Sequence, residues 1–171
     1  GTTGTPKMYK SIYFQGRNKY CVTFSVASVL HYVGLQRQAR ELVRVSTRLN
    51  EDWNNWEMSK KLIMGKGITI KNSKIDSITD IDFNTITVLC LCAVHVDHYS
   101  ELQFRDSTHV VTAYQNQLFD ANKQKPLKLV TQNLHLCCIG DKWKFHHFSR
   151  SFIIKFDERL ERIIHKNTQN I

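Results

Sequence analysis

A chain of 171 residues, 42% apolar and 23% charged, is long enough to bury a substantial core and too apolar to be disordered. Its 24 Lys and Arg against 15 Asp and Glu leave a net charge of +9, which favours anionic partners; yet the basic residues are scattered, with no long basic run and no aromatic-basic alternation of an RNA-binding sheet. No apolar run approaches membrane-spanning length and no signal peptide opens the chain, so no membrane partner is expected. The start at Gly1 suits an excised domain, with residues 1–8 as a flexible leader on a single domain spanning 1–171.

After that leader comes Gln15-Gly16-Arg17-Asn18-Lys19-Tyr20-Cys21, with Cys21 at the mouth of an expected helix. Val22, Val26, Val29, Leu30 and Val33 recur at helical spacing up to Gly34, which closes the run. A helix N-terminus carries partial positive charge and unpaired N–H groups, both of which favour a thiolate. Taken alone, a cysteine in such a place is more often a small packing residue. A second helix is expected over Arg37–Leu49, with Ala39, Leu42, Val43 and Leu49 inward, and a third over Asn54–Met64, capped by Asn54 or Asn55 and ended by Gly65 and Gly67.

Beyond Ile68 the pattern changes to short β-branched or aromatic runs: Ile68–Ile70, Thr85–Val94, Thr108–Tyr114, Gln117–Phe119, Leu127–Val130 and Phe152–Phe156. Asp157–Lys166 closes the chain as a helix. Helices followed by antiparallel strands give an α+β class, an N-terminal helical layer packed on a C-terminal antiparallel sheet with a cleft between them.

A nucleophilic cysteine needs a base, and of the eight histidines His109 is distinctive because it enters a strand that turns at Gln115-Asn116. With those two residues as the turn, paired numbers sum to 231, so Val111 faces Asp120 and His109 faces Asn122. Alternation places His109, Asp120 and Asn122 on one face, where an acid or amide could orient the imidazole. Considered by itself, such a hairpin also fits polar residues that merely face water. Asp120 is preferred over Asn122 as the third member, because a carboxylate both accepts from the imidazole N–H and stabilises imidazolium.

Other clusters carry less chemistry. Cys90, Cys92, His95 and His98 lie close together, but one intervening residue between the cysteines is not zinc spacing, and core packing is the expectation. Cys137 and Cys138 would point to opposite faces of an extended segment and read as packing residues. Trp53, Trp56 and Trp143 suit either a groove or the core. Five cysteines, odd in number with two close pairs, make a poor disulfide framework, so a cytoplasmic or other reducing intracellular compartment is expected.

Together the two segments resemble papain-like cysteine proteases. Gln15-Gly16, then Cys21-Val22-Thr23-Phe24-Ser25-Val26-Ala27, is similar to the nucleophile segment of that superfamily, and His109-Val110-Val111 with Leu118-Phe119-Asp120-Ala121-Asn122 is similar to its histidine and acid strands. The resemblance covers Gln15–Ser28 and Thr108–Asn122 and comes nearest to compact branches such as bacteriocin-processing peptidases and bacterial effector proteases. Val22 replaces the usual tryptophan, and no Asn-Ser-Trp segment follows the histidine, which sets the chain apart from the lysosomal and secreted branch. The resemblance implies a papain-like fold and a thiol protease needing no cofactor or metal, with Cys21 as nucleophile, His109 as base and Asp120 (or Asn122) as its orienting partner. Gln15 and the Cys21 N–H would form the oxyanion hole. The substrate would be a polypeptide, either a polyprotein or a ubiquitin-like conjugate, with weak anionic or nucleic-acid contact through the net charge. The alternative from another class is a basic nucleic-acid-binding or scaffold module that keeps the fold without using the thiol.

Overall fold

The computed structural model describes residues 20–48, 56–97, 104–138 and 140–169. The expectations that fall on residues 1–8, Gln15, Leu49, Trp53, Asn54, Asn55 and His98 lie outside them. Three helices come first, α1 (Cys21–Tyr32), α2 (Gln36–Arg48) and α3 (Trp56–Ile63). They are followed by β1 (Ile68–Ser73), β2 (Ile86–His95), β3 (Phe104–Tyr114), β4 (Gln117–Phe119), β5 (Leu127–Lys128), α4 (Thr131–Cys137), β6 (Trp143–Phe156) and α5 (Glu158–Gln169). The strands form one open six-stranded sheet, ordered β1-β6-β2-β3-β4-β5, with every neighbouring pair antiparallel. The class is therefore α+β. No described helix is long and apolar enough to cross a membrane.

α1 is the central helix. Instead of a single apolar stripe, every residue from Val22 to Leu30 is buried, as expected for a helix enclosed between a sheet and other helices. Two of its three buried hydroxyls bond back along the helix, Ser25 to the Val22 carbonyl at 3.1 Å and Ser28 to the Phe24 carbonyl at 3.0 Å, while that of Thr23 has no hydrogen-bond partner. Gly34 ends it in the left-handed region at φ +96°, and the Leu35 N–H donates to the Leu30 carbonyl at 2.8 Å. Around α1, the core takes in Leu42 of α2, Trp56 of α3, Val88 of β2, Phe152 of β6 and Leu160 of α5.

The two-layer expectation needs correcting. A second core on the opposite face of the sheet joins Leu89, Leu91, Val111 and Leu118 to Leu134 and Cys137 of α4, so helices cover both faces. Seven residues are too few for helical periodicity to be read, and α4 begins just past the expected strand Leu127–Val130, which itself stops at Lys128. Cys137 and Cys138 are therefore not on an extended segment, and both sit in this second core. The last strand starts nine residues earlier than expected, at Trp143 rather than Phe152. Irregularities in its pairing with β2, at Cys90/Leu91 and Cys92/Ala93, interrupt the two-residue alternation that would have revealed it. Trp56 is core, edge-on to Phe152 with ring centroids 5.0 Å apart, and Trp143 packs edge-on to His95.

The β3–β4 hairpin has the expected register. Thr112 pairs with Phe119, Ala113 with Leu118 and Tyr114 with Gln117. Gln115 and Asn116 have φ of 49° and 64°, both left-handed, as a two-residue type I′ connection requires. Asn occupies that region readily and Gln does not. Gln115→Asn is thus expected to stabilise the fold by about 0.5 kcal/mol, raising the melting temperature by about 1–2 °C in calorimetry.

Candidate active site

α1 lies along β3 and β4, which decides where its first residue falls. The Ser25 and Thr112 hydroxyls share a buried 2.8 Å hydrogen bond, and further along, the Tyr32 and Phe119 rings are 5.3 Å apart. Cys21 is one helical turn before Ser25, which brings its thiol back along β3 from Thr112 toward His109. There the thiol stands beside the imidazole, near enough to favour its protonated form. Of the five cysteines Cys21 is the one that is not buried. Tyr20 supplies no capping side chain and the first turn of α1 contains no acid, so the helix's own first turn puts no charge against a thiolate at its positive end.

His109 Nε2 lies 2.6 Å from Asp120 Oδ1, with each side chain 1% exposed. With Nε2 occupied, Nδ1 is the ring nitrogen left for Cys21. Burial alone would lower the His109 pKa; the Asp120 hydrogen bond and charge, together with the Cys21 thiol beside the ring, overcome it and raise the pKa to about 9. Burial likewise works against the Asp120 carboxylate, but the His109 hydrogen bond and charge, the Asn122 backbone N–H and the Cys137 thiol together hold its pKa below the ordinary value. The imidazolium–carboxylate pair is therefore the stable charge state of the two.

Asn122 does not face His109 as strand pairing would have it. β4 stops at Phe119, and the chain then turns, with the Lys123 N–H donating to the Asp120 carbonyl and the Asn122 N–H to Asp120 Oδ1, both at 2.9 Å. The turn carries Asn122 out of the ladder and leaves its side-chain Oδ1 buried without a hydrogen-bond partner. Asp120 is the residue brought to the imidazole; Asn122 contributes a backbone donor.

One contributor was not anticipated. The Cys137 thiol, 3% exposed at the end of α4, lies beside the Asp120 carboxylate and favours its charged form. Burial first, and the neighbouring Asp120 charge next, push the Cys137 pKa far up, so the thiol keeps its proton and adds no negative charge beside the carboxylate. Cys138 is pushed up to about 11 by burial and the same carboxylate. The only sequence signal was the Leu134/Cys137 spacing, in a segment not read as helical.

Cys90 and Cys92 are fully buried on β2. Among the described residues no group of three or more His, Cys, Asp or Glu is arranged to hold a metal ion. Two grooves lined by described residues, one between α5 and the ends of β2, β3 and β6, the other between α2 and α3, do not include Cys21. Gln15 lies outside the described residues. The chain matches no protein-family model, no curated protein and no solved structure.

Proposed function

We propose that this protein is a papain-like thiol protease that hydrolyses peptide or isopeptide bonds through Cys21, His109 and Asp120. The observation that carries this reading is the buried His109–Asp120 pair beside the one cysteine that is not buried, in the first turn of a helix. In the reaction the proton from the Cys21 sulfur already resides on His109 as the imidazolium, and the thiolate sulfur attacks the scissile carbonyl carbon. The Cys21 N–H and, by resemblance, the Gln15 amide receive the oxyanion, with loss of one such donor costing about a hundredfold in rate. The C–N bond breaks as His109 returns its proton to the leaving amine, giving a thioester; water, deprotonated by His109, then releases the acid and regenerates the thiol. Asp120 holds the ring with Nδ1 toward sulfur and stabilises its positive charge. The substrate is a polypeptide, a polyprotein or a ubiquitin-like conjugate, and no step calls for a cofactor.

Alkylation tests this without a known substrate. Iodoacetamide at about pH 6 is expected to modify Cys21 at least tenfold faster than any other cysteine, with the preference lost in His109→Ala. Slow labelling of all five cysteines alike would instead favour the module that does not use the thiol. A peptide-library digest, with release of new amino termini as readout, then identifies the bond cut.

A further inference from the structure

On the far side of the helical layer a groove of about 660 Å³ runs between α2 and the C-terminal end of α3. Its apolar floor is made by Leu30, Leu42, Val45, Leu62, Ile63 and Ile68, and Met64 stands at its lip with 48% of its surface exposed. Arg37, Lys61, Lys66 and Arg159 surround that floor, all exposed and from four different parts of the chain. Glu41 is the single carboxylate among the described lining residues, and its charge is engaged by Arg44, whose Nε donates to it at 3.0 Å. An apolar trough rimmed by cations matches a ligand of the opposite pattern, apolar along one face and acidic on both flanks.

We infer that this groove is a docking site for a partner polypeptide presenting an amphipathic helix with Leu/Ile/Met-type anchors flanked by Glu and Asp. The lining residues of α2 run from Arg37 to Val45, about two helical turns, which suits anchors spaced i, i+4 and i+7 on the guest. Nucleic acid fits the rim but not the floor. The chain's own first twenty residues fit poorly, because they contain Lys7, Lys10, Arg17 and Lys19 and no acid. A second copy would bring +9 against +9. Leu30 is nine residues along α1 from Cys21, about 13 Å, so a helix seated here leaves the thiol accessible and acts as a separate anchor.

A fluorescein-labelled amphipathic peptide of about 14 residues, Leu at the anchor positions and Glu elsewhere, titrated against the full chain by anisotropy, tests the assignment. Saturable binding is expected, weakening about tenfold between low and moderately high salt and at least tenfold in the double variant Arg37→Glu/Lys61→Glu. Both positions are exposed, and a thermal melt checks that the variant is folded. Equal binding of a Leu/Lys peptide with the same anchors overturns the inference, as does affinity indifferent to the charge reversal. Decanoate binding without peptide binding would make the groove an anionic-lipid site, and dimerisation by sedimentation blocked by the double reversal would make it a self-interface; either result also overturns it. None of these readouts depends on catalysis, so the docking site and the protease reading fail separately.

Discussion

Cys21→Ala is expected to reduce cleavage by about 10⁴-fold or more while barely changing the melting temperature. The size follows from the chemistry: without the sulfur there is no thioester, and what survives is oxyanion binding and substrate positioning, a residue of activity well below that of an intact triad. The small effect on stability follows from placement, since the Cys21 side chain is only part-buried and fills none of the fully enclosed core beneath α1. Cys21→Ser keeps the shape but offers a hydroxyl that His109 cannot deprotonate in the ground state, so it should be almost equally inactive. Intact-mass measurements after incubation with an activated ester give the direct check. Wild type should gain one acyl group that His109→Ala forms far more slowly, and Cys21→Ala should gain none; an Ala variant that still acylates and cleaves at wild-type rate would remove Cys21 from the reaction.

The parts of this site that could be read from sequence are those set by local rules. A two-residue turn leaves one register for β3 and β4, and the Gln115-Asn116 tip and the pairing from Thr112/Phe119 to Tyr114/Gln117 follow from it. The start of α1 at Cys21 and its end at Gly34 were legible from apolar spacing and a glycine. What escaped depends on contacts between distant segments. That β4 ends at Phe119, so that Asn122 leaves the ladder while Asp120 turns onto the imidazole, is decided by a backbone turn that carries no strand signal. α4 is too short for its period to declare itself, and with it went the Cys137 thiol; the Cys137 position has meaning only once the helix brings it to Asp120 from seventeen residues further along. β6 was seen only from Phe152 onward, because bulges opposite Cys90 to Ala93 disrupt the alternation of its first half.

Asp120→Asn separates the two tasks that the carboxylate performs, and it should be costly to both. With the pKa of His109 raised in the fold from 6.5 to about 9, the pair contributes stability that is full below pH 6.5 and disappears as pH rises through about 9. Asp120 works in the other direction: its pKa is lowered in the fold, so its contribution is present above its ordinary value of 3.8 and is lost as pH falls through the lower folded value. Wild type should therefore be most stable between about pH 4 and 6.5 and lose on the order of 3 kcal/mol by pH 9 as His109 gives up the proton that Asp120 and Cys21 together favour. Asn at 120 offers an acceptor without a charge, leaving a buried imidazole that can no longer stay protonated cheaply; removal of one partner from such a pair costs about 3–5 kcal/mol. Melting temperatures from pH 4 to 10 should show the wild-type decline between 6.5 and 9 flattened in Asp120→Asn, with the largest deficit near pH 6. Turnover should fall by about 10³–10⁴-fold, because an uncharged partner neither stabilises imidazolium nor selects the ring orientation that presents Nδ1 to sulfur. A variant whose stability still fell between pH 6.5 and 9 by the wild-type amount would mean that the proton on His109 is held by something other than Asp120, and the charge assignment on which the proposed proton transfers rest would have to be abandoned.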